Sequence, residues 1–283
     1  MNTPVKIVIG VAVLGGLAGL GYWQMPKWFP QASRDGEVEF ASASALSMTE
    51  IIQTRHADVE GTAGCDVRLL YPQIADDGSL AISSEAREKM NEAIVKQVTD
   101  FLSTNTVSLD EAATAFVTSC QTDLAEAMSW TDDMADDPYV SLTNGWESEI
   151  GYSIKLNDGK YLSLGIANFL STGGAHPSIT ELFLTFEVAT GNVVGLRDLL
   201  AADQLTAFEV KEKQWLVDNM ADQIFEELTS EFSAYIAVPT QEATDRYVDD
   251  AMVYLTATDI VTFYNPYIIA PYTVGPIEVM IAR

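Results

Sequence analysis

Basic residues are scarce in this chain of 283 residues: 15 Lys and Arg stand against 41 Asp and Glu, a net charge of −26. Such a surface repels nucleic acid and anionic lipid headgroups and attracts cations and basic proteins. Histidine is scarcer still. His56 and His176 are far apart and in unlike settings, so neither a zinc site nor a Ser-His-Asp triad is marked. Gly-x-Gly-x-x-Gly, P-loop, Gly-x-Ser-x-Gly, His-Glu-x-x-His and Cys-x-x-Cys motifs are all missing. With so many acids a carboxylate pair is always available, so spacing alone cannot argue for a glycosidase. The expectation is a non-enzymatic protein with no cofactor and no metal. Internal repeats and low-complexity blocks are also lacking. What is present is a core: 48% of residues are apolar and 20% charged, the balance of a globular chain.

The acids have a sharp boundary. None precedes Asp35, and the first segment carries only Lys6, Lys27 and Arg34. Within it, Ile7 to Trp23 is a run of 17 uncharged, mostly apolar residues. That is the short end of a transmembrane helix. Tyr22, Trp23 and Trp28 follow where interfacial aromatics belong, with Lys27 beside them. A cleaved signal peptide needs a small-residue site directly after the apolar run, and here "YWQMPKWFP" is bulky. The reading is an uncleaved, single-pass anchor with the acidic remainder translocated. "PKWFPQASRDGEVEFASASALSMTE" then reads as a tether. The expected organisation is a cytoplasmic end and anchor over 1–25, a linker over 26–50, a strand with a helical hairpin over 51–145, and a β/α half over 146–283.

The two cysteines fit that location. Cys65 alternates with Val67, Leu69 and Tyr71 onto one face of a strand near Val67–Tyr71. Cys120 lies on a helical stripe with Ala113, Phe116, Val117, Leu124, Ala127 and Met128. Both point toward a core that strand and helix share. Outside the cytoplasm a disulfide between them is expected, the alternative being two buried thiols.

Further along, Ser83 or Ser84 caps a helix to about Leu102, with Met90, Ile94, Val98, Phe101 and Leu102 inward. Ser108 and Glu111 form a capping box for a second helix ending near Trp130. The short link between them predicts an antiparallel hairpin. "TDDMADDP" has four aspartates but no EF-hand register, so it reads as a solvated loop. From Trp146 the period becomes two, and three strands form an antiparallel meander. A helix from "RDLLAADQ" is expected to run to about Leu228, followed by strands near Met252–Thr256, Ile260–Tyr264 and "IEVMIA".

Between the second and third meander strands stands "TGGAHP". Gly173 and Gly174 supply positive φ, Pro177 fixes the exit, and His176 is expected to hydrogen-bond the local backbone. This stretch, with "FLSTGGAHPSITELFLTFEVATGNVVGLRDLL", resembles the signature of the RsiV/PdaC-type extracytoplasmic domain family: a Gly-Gly-Ala-His-Pro turn, a Thr-Gly turn, then Leu-x-Asp-Leu. The closing "YIIAPYTVG", Tyr267 to Gly275, and an upstream "VRLLYPQI" followed by a helix bearing Asn91 extend the likeness over about residues 60–283. The resemblance implies an α+β fold, an antiparallel sheet packed with helices behind one transmembrane helix, and a cell-envelope location. Members of the RsiV type are anti-sigma factors whose outer domain binds lysozyme. The PdaC type adds a peptidoglycan deacetylase domain. This chain has only a few residues before its anchor and stops at Arg283, so the shared module is expected, a binding domain. Its candidate ligands are a basic protein such as lysozyme or a peptidoglycan component. Its candidate surface is Gly173, Gly174, His176, Pro177, Tyr267 and Tyr272, because loops on a rigid sheet carry binding and tyrosine suits interfaces. A structural subunit of the envelope and a wall hydrolase acting through His176 are the competing readings.

Overall fold

The computed structural model describes residues 7–8, 45–76, 82–102, 108–129, 145–173, 176–237 and 252–283. Its organising strand is the one with the clearest alternation. In Cys65–Ile74 (β3) Cys65, Val67, Leu69 and Tyr71 are buried while Asp66 is exposed. Met48–Ala57 (β2) pairs with it antiparallel, from Met48 opposite Ile74 to Ala57 opposite Cys65. This strand was not expected, and its first residues fall in the presumed linker. Its face is only half-buried, so its sequence carries no strong apolar period. Ile7–Val8 (β1) lies against Gln53 and Ile52. These two residues are extended where a helical anchor was expected, and the rest of that anchor lies outside the described residues. Among the described residues no helix is long and apolar enough to cross a membrane.

The helical hairpin follows as Ser84–Leu102 (α1) and Leu109–Ser129 (α2). Ser83 Oγ accepts the Ala86 amide at 3.0 Å, and Ser108 Oγ accepts the Glu111 amide at 3.3 Å, so both serines cap their helices. Met90, Ile94 and Val98 of α1 and Ala113, Val117 and Leu124 of α2 are buried against β3. Asn91 of α1 ties this layer to the sheet, accepting the Ile74 amide at 2.7 Å. Cys65 and Cys120 form a disulfide with Cα atoms 6.1 Å apart. The link between the helices and the four-aspartate loop lie outside the described residues.

The hairpin is a crossover, and this changes the sheet. Trp146–Asn157 (β4) pairs parallel with β3 over Cys65–Leu69 and Trp146–Ile150, where an antiparallel sheet was expected. A parallel neighbour needs a connection of a dozen or more residues, which α1 and α2 supply. The expected boundary near residue 145 therefore falls between two strands of one sheet. Tyr161–Ser171 (β5), Ser178–Glu187 (β6) and Asn192–Val193 (β7) complete the antiparallel meander. The order is β1 through β7. Leu162, Leu164 and Ile166 of β5 join the core under α1 and α2, while Ser163, Gly165 and Ala167 alternate to the opposite face.

That opposite face carries a second sheet. Val253–Leu255 (β8), Asp259–Tyr264 (β9) and Ile277–Ala282 (β10) are antiparallel. Val261 and Phe263 turn toward Phe183 of the large sheet. Ser163 Oγ accepts the Leu255 amide at 3.1 Å and lies 2.7 Å from Thr185 Oγ1, a polar seam between the sheets. The outer face of the small sheet is covered by helices. Leu196–Leu199 (α3) is one turn, Ala202–Met220 (α4) follows, then Glu226–Ala237 (α5). Leu216, Leu228 and Phe232 pack there against Tyr264, Ile277 and Val279. The molecule is thus layered helices, sheet, sheet, helices. The single helix expected to reach Leu228 is two helices, because the Phe225 amide leaves the ladder and donates to Ile269 O at 2.9 Å.

Candidate functional site

The hairpin between β5 and β6 meets the loop between β9 and β10. Gly173 has φ 78°, as a turn of this kind requires, and Gly174 lies outside the described residues. His176 Nδ1 lies 3.1 Å from Pro177 O. A carbonyl only accepts, so Nδ1 is the donor here, and in the neutral ring Nε2 is the acceptor. Tyr267 Oη lies 3.3 Å from that Nε2 and donates to it. The His176 ring stacks on Tyr272 at 4.0 Å between centroids and 15° between planes. Tyr272 Oη donates to Pro177 O at 3.2 Å. Four of the expected surface residues, His176, Pro177, Tyr267 and Tyr272, are therefore one contact group, though the histidine and Tyr267 are 91 residues apart.

The loop that supplies the tyrosines is held in an unusual shape. Tyr267 has φ 71°, the one left-handed residue among the described non-glycines. Such a conformation costs about 1–3 kcal/mol in a bulky residue. Ile269 and Ala270 are buried on one side of it, while Tyr267 is 58% exposed and Ile268 40%. Asn265 anchors the loop: its Oδ1 accepts the Glu181 amide and its Nδ2 donates to Glu181 O, each at 2.8 Å.

Beside this ring group lies a cleft of about 390 Å³ between the two sheets. Tyr272, Asn265 and Phe263 form one wall, and Ser153, Lys155 and Glu181 another. Lys155 is placed by a β-bulge, since the β4–β5 register jumps from Ile154 to Leu156 and leaves it unpaired. Its ammonium is 3.4 Å from Glu181 Oε1, 4.9 Å from the Tyr254 ring centroid and 5.4 Å from that of Phe183. Glu181 also accepts from Ser153 Oγ at 3.2 Å. Gly165 sits in register between Ser153 and Phe183, and only a residue without a Cβ leaves room for that carboxylate. Across the cleft Glu278 accepts from Tyr254 Oη at 2.9 Å. Burial, and then the Glu278 carboxylate, push the Tyr254 hydroxyl far above its usual range, so it stays a donor.

Apart from Tyr272, none of these cleft residues stood out in the sequence. The bulge leaves "SIKLN" reading as plain alternation, and the glutamates are two among many. His56, the other histidine, on β2, bridges Asp58 just past the strand at 3.1 Å and Asp66 of β3 at 2.9 Å, apart from the cleft. Among the described residues no group of three or more His, Cys, Asp or Glu is placed to hold a metal ion.

No curated protein matches the chain. Two crystal structures of DUF3298 family proteins share its fold. One, from Bacteroides fragilis, is 20% identical with a TM-score of 0.54, over 85% of this chain and 92% of that one. The other, from Pseudomonas aeruginosa, is 18% identical with a TM-score of 0.51, over 84% and 90%. At such identity the likeness is one of fold. In the sequence itself, residues 203–283, from α4 through the tyrosine loop to β10, match the DUF3298 family, described as a protein of unknown function.

Proposed function

We propose that this protein is a membrane-anchored, extracytoplasmic binding module of the cell envelope, related to the RsiV/PdaC type. Its ligand is a basic protein such as lysozyme, with a peptidoglycan component as the other candidate. The observation that carries this reading is the ring group of His176, Tyr267 and Tyr272. Two distant loops bring it together at the end of a rigid pair of sheets, and it keeps Tyr267 exposed in a conformation that costs free energy. Backbone strain of this kind collects at binding sites, and exposed tyrosines anchor interfaces. The charge of −26 favours a cationic partner. The Cys65–Cys120 bond supports an oxidising location. Titration calorimetry of the full chain with hen lysozyme, at low and at physiological salt, tests the reading. Binding of defined stoichiometry that survives physiological salt and falls at least tenfold in Tyr267→Ala is expected. Binding that disappears at physiological salt, or that ignores Tyr267→Ala, would set the reading aside.

A further inference from the structure

The cleft beside the ring group has a charge and a wall chemistry that select its occupant. Its one ammonium among the described residues, Lys155, is already matched by Glu181 at 3.4 Å. Glu278 is exposed and, among the described residues, has no cationic partner in the cleft, although Tyr254 holds one of its oxygens. The cleft therefore carries one carboxylate in excess, within a protein that is acidic as a whole. A second anion would meet Glu181 and Glu278 against a lysine that is spoken for. A neutral sugar would leave the excess carboxylate unanswered. The remaining wall is aromatic and apolar, from Tyr152, Phe263, Tyr272 and Ile179. Ring faces attract cations, and apolar walls suit the methylene stem of a long basic side chain. Lys155 shows the arrangement at work inside the fold, with its stem in the protein and its ammonium between a carboxylate and two rings. At about 390 Å³ the cleft is at the small end of ligand sites, with room for a long basic side chain.

We infer that this cleft receives a single arginine or lysine side chain of a basic protein partner, with Glu278 as its counter-charge. This rests on the binding reading above and adds the group that is read. The test uses the full chain and three probes in ligand-observed NMR titrations: Nα-acetyl-arginine methylamide, its neutral isostere Nα-acetyl-citrulline methylamide, and chitotetraose. Saturable binding of the arginine probe is expected, at least about tenfold tighter than the citrulline probe. Glu278→Gln should weaken it about tenfold, the loss of one charge-assisted contact. Glu88→Gln, which removes the same charge from α1 on the far face of the large sheet, should leave it unchanged. Equal binding of arginine and citrulline probes, indifference to Glu278→Gln, or binding of chitotetraose alone would overturn the inference. The two readings fail separately. Lysozyme binding that responds to Tyr267→Ala but not to Glu278→Gln keeps the module and removes the cleft. Arginine-probe binding without lysozyme binding keeps the cleft and removes lysozyme as the partner.

Discussion

Gly165 is glycine because of a carboxylate. A Cβ built there would stand 2.2 Å from Glu181 Oε1, 2.7 Å from Ser153 Oγ and 3.0 Å from Phe183 Cε1. Gly165→Ala should destabilise by about 1–3 kcal/mol, the usual cost of overpacking, read as a lower urea midpoint. Asn265→Leu should cost a similar amount, about 1–3 kcal/mol, because it orphans the Glu181 amide and carbonyl at once. At this scale the sequence was partly legible. His176 and the two tyrosines stood out through rarity and the proline-glycine turns around them. Lys155 did not, because a bulge hides inside a pattern that still alternates. Nor did the φ of Tyr267, since nothing about a tyrosine announces the left-handed region.

Helix α4 shows what an apolar period conceals. Its apolar residues Phe208 and Leu216 are buried, yet Glu209, Glu212 and Lys213 are buried with them. Tyr235 donates to Glu209 at 2.5 Å and Tyr264 to Glu212 at 2.9 Å, with Lys213 3.8 Å from the second Glu212 oxygen. Burial raises the Glu212 carboxyl above the ordinary glutamate range, against the pull of Lys213. The native state then binds this proton more tightly than the unfolded chain. Stability from Glu212 is whole below the unfolded titration near pH ~4.3 and is lost as pH rises through the raised folded value. Glu212→Gln should remove that slope. Urea unfolding of the wild type and this variant at pH 5 and pH 8 should give a difference that grows in favour of the variant at pH 8. The elements themselves were legible where caps and periods agreed, as in α1, α2 and the meander. They were missed where tertiary contacts decide: β2 exists because β3 needs a partner, and the helical run stops at Met220 and restarts only after Phe225, whose amide is held by Ile269.

For the whole molecule the layers were only half legible. An α+β chain followed from alternating and helical periods, but the parallel ladder of β3 with β4 and the stacking of two sheets depend on contacts far apart in sequence. The disulfide was legible because two faces pointed inward. It closes a loop of 55 residues, which loop entropy values at about 4 kcal/mol. Reduction, or replacing both cysteines by alanine, should lower stability by about that amount in urea unfolding.

Cys65 opens β3 and Cys120 lies on α2, within the crossover, so both precede β4 in the chain. Oxidation therefore depends on no residue after Cys120 being present. A chain emerging from its N-terminal end can lock strand to helix while the meander, the second sheet and the tyrosine loop are still to arrive. The covalent step can thus come early in maturation, and the ring group, which needs both late loops, comes last. Binding competence then reports completed assembly, whereas the disulfide reports only its beginning.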